Sequence, residues 1–256
     1  MSSVFVTGSA DGIGRETAST LVRMGHRVVL HARDRARAEE ARAAVPGAAD
    51  VAVGDLASLA QTRALAAAAQ KAGPYDTVIH NAGIGGAPRR AVTADGLERI
   101  FQVNVLAPYV LTALMDRPAR LVYLTSGLES QGVADLGDLQ RERRPWDGEL
   151  AYSDSKLCDI LLAFAVARRW PQVCVNAVDP GWIRTRLGGP DATDALPLGA
   201  ETQVWLATSD EAAATVSARY LKRRQELRAN AAAYDEVLQD GLLEACAELS
   251  GVAFPL

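Results

Sequence analysis

A tyrosine and a lysine stand four residues apart in Tyr152-Ser-Asp-Ser-Lys156. On a helix that spacing places the two side chains one above the other on the same face. The ammonium then favours the phenolate and lowers the tyrosine pKa from its ordinary value of about 10. A phenol shifted in this way gives a proton to a substrate oxygen or takes one from it. With six tyrosines and three lysines in 256 residues, chance pairs at this spacing are uncommon. A helix surface that merely carries both residues is the competing reading.

A second motif opens the chain. Val4-Phe-Val-Thr7 is a short apolar run of strand type, followed by TGSADGIG and a helical pattern over Ile13–Met24. Gly8, Gly12 and Gly14 let the chain turn tightly and let a pyrophosphate approach the backbone, while the helix start offers unpaired N–H donors. An ordinary strand-to-helix turn is the alternative.

These residues need a scaffold, and the hydrophobic pattern describes one. Apolar strands at Arg27–His31, Val51–Val53, Thr77–His80, Arg120–Thr125 and Val173–Val178 alternate with helical stretches near Arg35–Ala44, Leu59–Lys71, Gly96–Met115 and Tyr152–Arg169. Such alternation predicts a parallel sheet with both faces covered. A further strand over Val216–Leu221, a short helix over Glu201–Thr208 and a long helix over Ala231–Leu249, interrupted by Gly241, complete the expectation. No linker or repeat divides residues 1–256, so one α/β domain is expected. Two long loops, 127–150 and 180–200, follow strand ends and should wall the substrate site, because open α/β sheets bind ligands beyond the carboxyl ends of their strands. Surface insertions are the other reading of both.

Composition excludes several classes. A net charge of −4 and no basic stripe argue against nucleic acid. No run reaches the ~18 apolar residues of a membrane span, and no signal-type segment precedes the first strand. Cys158, Cys174 and Cys246 read as buried reduced thiols of a cytoplasmic protein. His26, His31 and His80 lack metal-ligand spacing, so no metal is expected. Arginine outnumbers lysine 24 to three, a bias suggesting a GC-rich bacterial genome.

TGSADGIG, Asn81-Ala82-Gly83, Asn104, Ser126, Tyr152-x3-Lys156 and Asp179-Pro180-Gly181 with Thr185 together resemble the short-chain dehydrogenase/reductase family, in its motif order and over the whole chain. HARDRARAEE, DLASL, Asp138-Leu139 and the wide gap between Ser126 and Tyr152 resemble the branch of retinol dehydrogenases and related carbonyl reductases. The resemblance implies a Rossmann-type doubly wound sheet of about seven strands. It implies an oxidoreductase interconverting a carbonyl and an alcohol, with Tyr152 as acid or base and Lys156 lowering its pKa and holding the nicotinamide ribose. Ser126 would bind the substrate oxygen. Asn104 would kink its helix and hold a water of a proton relay. Taken singly, Ser126 also reads as a cap and Asn104 as a structural amide.

The family pattern places the cofactor on Gly8, Ser9, Asp11, Gly12, Ile13, Gly14, Arg33, Asp55, Leu56, Asn81, Ala82, Gly83, Tyr152, Lys156, Pro180, Gly181 and Thr185. NADP(H) is expected rather than NAD(H). Ala32 stands where an NAD-selective site places an acid, and Arg33 follows it, a planar cation suited to a 2′-phosphate. Asp34 reads as a helix cap. Trp146, Trp182, Leu187 and Leu196 in the long loops suggest an apolar substrate, or else loop anchors. The helix from Tyr152 is apolar nearly all round, and family members commonly pair it across a two-fold axis. A homodimer or homotetramer is therefore expected, unless the C-terminal helix or the 127–150 loop covers it. A non-catalytic dinucleotide-binding regulator is the alternative function.

Overall fold

The computed structural model describes residues 1–255. Its framework is one eight-stranded sheet in the order β3-β2-β1-β4-β5-β6-β7-β8. The strands are β1 (Ser3–Val6), β2 (Arg27–Ala32), β3 (Asp50–Val53), β4 (Thr77–His80), β5 (Arg120–Leu124), β6 (Cys174–Val178), β7 (Arg219–Lys222) and β8 (Gln225–Leu227). All neighbours run parallel except β7 and β8. The order reverses between β1 and β4, so the crevice expected of a doubly wound sheet opens there.

Alternation along each strand builds two cores. Val4, Val6, Val28 and Leu30 face the layer of α1 (Gly12–Arg23), α2 (Arg35–Ala44) and α7 (Leu196–Thr208). Phe5, Val29, Leu121 and Tyr123 face the other layer: α3 (Leu59–Ala72), α5 (Ala107–Leu114), α6 (Gly148–Arg169) and α8 (Glu236–Ser250). Between β4 and α5 lies the short α4 (Arg99–Phe101), which runs into a π-turn over Gln102–Leu106. Side chains cap the helices: Asp34 accepts from Arg37 N at 2.8 Å, as expected, and Asp147 from Glu149 N at 2.9 Å.

The structure corrects several expected boundaries. An eighth strand exceeds the seven expected. β8 is exposed and polar, so it carries no apolar signal, and a turn with Arg223 and Arg224 at φ 49 and 60 folds it onto β7. Helix α7 begins at Leu196 rather than Glu201, with Pro197 in its first turn, a position whose missing N–H costs the helix nothing. Gly241 does not interrupt α8. It lies inside a continuous helix that ends at Gly251 in the left-handed conformation, while 231–234 form a separate 3₁₀ turn. Cys158 and Cys246 are buried, but Cys174 is only partly so.

Helix α6 is buried at every position from Ser153 to Ala167. Its outer side is covered by α8 of the same chain: Leu242, Leu243 and Cys246 share its core, and Arg168 reaches Gln239 at 2.9 Å and Glu236 at 3.0 Å. Phe164 also packs against Tyr234, with ring centroids 5.5 Å apart. The surface through which a two-fold pairing of α6 was expected is thus occupied from within.

Candidate active site

Two reciprocal contacts staple α6 to the end of β5. Thr125 Oγ1 donates to the Lys156 carbonyl at 2.6 Å, and Lys156 Nζ donates to the Leu124 carbonyl at 3.0 Å. The lysine is thereby buried just beyond the strand end. Tyr152, one turn earlier, has its ring centroid 5.6 Å from Nζ. Ser126 follows the same strand and accepts from Leu128 N at 3.3 Å, capping the 3₁₀ turn Gly127–Gln131. As an acceptor there, its hydroxyl keeps a hydrogen to donate.

Asn104 sits within the π-turn, where the helix departs from α geometry. Its Oδ1 accepts from Ile84 N at 2.8 Å, and its Nδ2 donates to Ile84 O at 3.0 Å and Ser155 Oγ at 2.9 Å. Ser155 in turn donates to the Tyr152 carbonyl at 2.7 Å. The amide therefore ties the loop after β4 to α6. Gly83 lies between these groups: a Cβ there would come within 3.4 Å of Lys156 Nζ and 3.5 Å of Asn104 Oδ1.

A carboxylate that the sequence reading missed completes the cluster. Asp159 Oδ2 accepts from Lys156 Nζ at 2.7 Å, and both side chains are buried. Burial, the largest single effect, would push the lysine pKa down, but the charge and hydrogen bond of Asp159 together with the nearby Tyr152 raise it overall. Burial pushes Asp159 up to about 6 against the pull of Lys156.

The glycine turn is held from below. His31 Nδ1 accepts from Gly8 N at 2.9 Å while Nε2 bonds the Gly54 carbonyl at 2.8 Å, and burial lowers the His31 pKa. Gly8 has φ 62, and a Cβ on it would fall 2.8 Å from Ala82 Cα. Asn81 donates from Nδ2 to Thr7 O at 2.8 Å, and Thr7 Oγ1 accepts from the amides of Asn81 and Ala82 at 2.9 and 3.0 Å. Thr185 sits over Gly12, its Cγ2 3.4 Å from where a Cβ would be. Ile13 packs beside it against Gly199. Gly181, at φ 95, donates to the buried Asp179, which Lys222 neutralises at 2.9 Å.

Two expected cofactor contacts change character. Ser9 is fully buried, donates to Val6 O and accepts from His31 N, so its hydroxyl belongs to the fold and not to the crevice. Leu56 is packed in the core under α3. Asp55, beside it, accepts from Ala57 N at 2.9 Å. Trp146 proves a loop anchor, donating to Ala87 O at 2.9 Å. Among the described residues no cluster of side chains is suited to a metal ion, and no helix is long and apolar enough to cross a membrane.

The family model for short chain dehydrogenases matches residues 2–134. An uncharacterized oxidoreductase of Emericella nidulans is 42% identical over 98% of this chain and 98% of its own length. Human retinol dehydrogenase 14 is 36% identical over 85% of this chain and 76% of its own. Among solved structures, an uncharacterized protein from Mycobacterium paratuberculosis superposes with a TM-score of 0.87 at 29% identity, covering 100% of this chain and 96% of that one. A blue fluorescent protein from a metagenomic library, in complex with NADPH, gives 0.70 at 25% identity over 86% and 95%. The chain belongs to the short-chain dehydrogenase/reductase family of oxidoreductases, in its retinol dehydrogenase-like branch.

Proposed function

We propose that the protein is an NADP(H)-dependent oxidoreductase that interconverts a carbonyl and an alcohol on an apolar small molecule. The observation that carries this reading is the placement of Tyr152, Lys156 and Asn104 around Gly83, at the ends of β4 and β5 and beside the glycine turn.

The residues present fit a nicotinamide dinucleotide. Gly8 and Gly14 let the turn pack tightly against Ala82 and Asn81, Gly12 leaves space beneath Thr185, and the first turn of α1 leaves N–H groups without intrahelical partners. Thr185, Pro180 and Gly181 would close over the nicotinamide half, and Asp55, Asn81 and Ala82 would border the adenine half. Arg33 lies 66% exposed just past the end of β2 and pairs with Asp34 at 3.2 Å, an exposed pair that would yield to a 2′-phosphate. Arg37 extends from α2 to the glycine turn as a second cation that the sequence reading missed. When bound, the dinucleotide supplies the hydride in reduction and accepts it in oxidation.

In the reductive direction the carbonyl carbon gains hydride, its π pair moves to oxygen, and the Tyr152 proton follows to that oxygen. Ser126 donates to the same oxygen and holds it near the phenol. Lys156 holds the ribose and stabilises the phenolate left behind. The segments between β5 and α6 and between β6 and α7 wall the substrate. Trp182 and Leu187, 53% and 54% exposed in the second loop, supply apolar surface to it.

An NADPH-consumption screen over ketones, aldehydes, steroids and retinoids tests the reading. On any substrate found, Tyr152→Phe should lower kcat by at least the ~10²-fold of a lost general acid and leave NADPH binding intact. Near wild-type turnover in that variant would refute the mechanism. NADPH binding without turnover across the screen would favour a regulator.

A further inference from the structure

Tyr152, Lys156 and Asp159 occupy positions i, i+4 and i+7 of α6 and so form one stripe on the helix. Here the ammonium has a carboxylate 2.7 Å away, and Lys156 and Asp159 are 4% and 2% exposed, out of reach of screening by bulk water. The charged and titratable groups around Asp159 are few: Lys156 and Cys158 on its own helix, and Tyr123 on β5, whose ionisation its charge opposes. Cys246 of α8 lies behind Cys158. None of them offers Asp159 a second cation.

We propose that Asp159 is a positioning residue which holds the Lys156 ammonium and offsets its field at Tyr152, favouring the neutral phenol over the phenolate and so biasing the site toward carbonyl reduction. The argument is one of charge balance. A buried ammonium alone stabilises the phenolate strongly, whereas a neutral ammonium–carboxylate pair does so only through the difference in distance between its two ends and the phenol oxygen. A tyrosine kept protonated is a ready general acid. Oxidation of the alcohol needs the phenolate and is deferred to higher pH. Binding of the ribose hydroxyls by Lys156 does not remove the carboxylate, so the bias persists in the loaded site.

The inference rests on Tyr152 being the acid–base residue, and its test uses the cofactor-free protein, so that it stands apart from turnover. Phenolate absorbance is titrated in wild type and in Asp159→Asn, each against the same protein carrying Tyr152→Phe, and the difference isolates the Tyr152 step. Burial pushes Tyr75 up to about 12, and Tyr109, Tyr123 and Tyr220 are raised further, so these four stay silent through most of the scan. The Tyr152 step should move to lower pH by about one unit or more in Asp159→Asn and stay near its wild-type position in Asp159→Glu. An unmoved step in Asp159→Asn, or equal movement in the Glu variant, overturns the proposal. If Asp159→Asn does not fold, Asp159→Ser replaces it under the same criterion. Failure of Tyr152→Phe to reduce turnover would overturn the functional reading instead, and leaves the titration result to be judged by itself.

Discussion

Arg186 Nη2 lies 3.2 Å from Asp11 Oδ2, joining the loop after β6 to the glycine turn, and Arg37 reaches the same carboxylate at 3.4 Å. Burial would raise the Asp11 pKa, but the Gly12 amide and three arginines, Arg186, Arg37 and Arg15, together hold it below the ordinary value. One carboxylate thus occupies two cations beside the place where an adenine ribose would lie. Arg186 is 82% exposed, so its pair with Asp11 contributes no more than ~1 kcal/mol and yields readily to a phosphate.

That arrangement makes cofactor choice testable. Asp11→Asn keeps the helix cap, for which Asn serves as well as Asp, and removes the charge that competes with a 2′-phosphate. KM for NADPH should fall several-fold. Arg33→Ala and Arg37→Ala should each raise it by about tenfold, the scale of a lost charge-assisted hydrogen bond, with little effect on NADH. Initial rates with both cofactors decide the matter. A wild-type preference for NADH, or equal changes for the two cofactors, would remove the NADP assignment.

Gly14 has no room to become alanine. A Cβ there would run into Asn81 Nδ2 and the Gly8 carbonyl, which are held in place because Nδ2 donates to Thr7 O at the end of β1 and to the Gly8 carbonyl itself. Gly14→Ala should cost about 1–3 kcal/mol of stability, as overpacking does, and should weaken dinucleotide binding by opening the turn. Chemical denaturation and fluorescence titration of NADPH measure the two effects. Full retention of both would mean that the turn relaxes freely.

The cover that α8 gives to α6 predicts a monomer. Arg168 is held by Gln239, Glu236 and Asp240, and the apolar residues under it are sealed by Leu242 and Leu243. Light scattering at micromolar concentration should return one chain of 27.1 kDa. A dimer mass that persists on dilution would show that a different face of the chain pairs.

The sheet and the candidate reacting groups were legible because their residue types are chemically restrictive. Few positions tolerate only glycine, and few helices carry Tyr and Lys one turn apart, so Gly8–Gly14 and Tyr152–Lys156 announce themselves. Asp159 and Ser155 did not, since an acid or a hydroxyl inside a helix usually faces solvent, and only the packing of α6 between β5 and α8 shows both to be buried. Arg37 was hidden among the arginines of α2 for the same reason. The π-turn at Asn104 changes the register of the 99–114 helix without changing its apolar pattern, so periodicity returned one helix. β8 escaped because its pairing with β7 is set by a turn, not by apolar residues.

His80 provides a test of acid stability with a defined sign. It is buried at the end of β4, its Nε2 bonds Thr112 Oγ1 at 2.9 Å, and its ring lies 4.7 Å from that of Tyr123. Among the described residues its Nδ1 has no hydrogen-bond partner, and burial pushes its pKa down to about 3 from an ordinary 6.5. Between these values the unfolded chain binds a proton that the folded chain refuses, so stability falls as pH falls through that window and is complete above about pH 7. From pH 7 to pH 4 the loss attributable to this one residue is about 3 kcal/mol, at about 1.36 kcal/mol per unit. His31, also lowered by burial, and the carboxylates titrate alike in wild type and variant, so their contributions cancel in a comparison. His80→Asn should therefore have a shallower decline of unfolding free energy over this range than wild type, by about that amount, whatever its stability at pH 7. Urea denaturation at several pH values gives both curves, and parallel curves would mean that His80 is protonated in the folded protein.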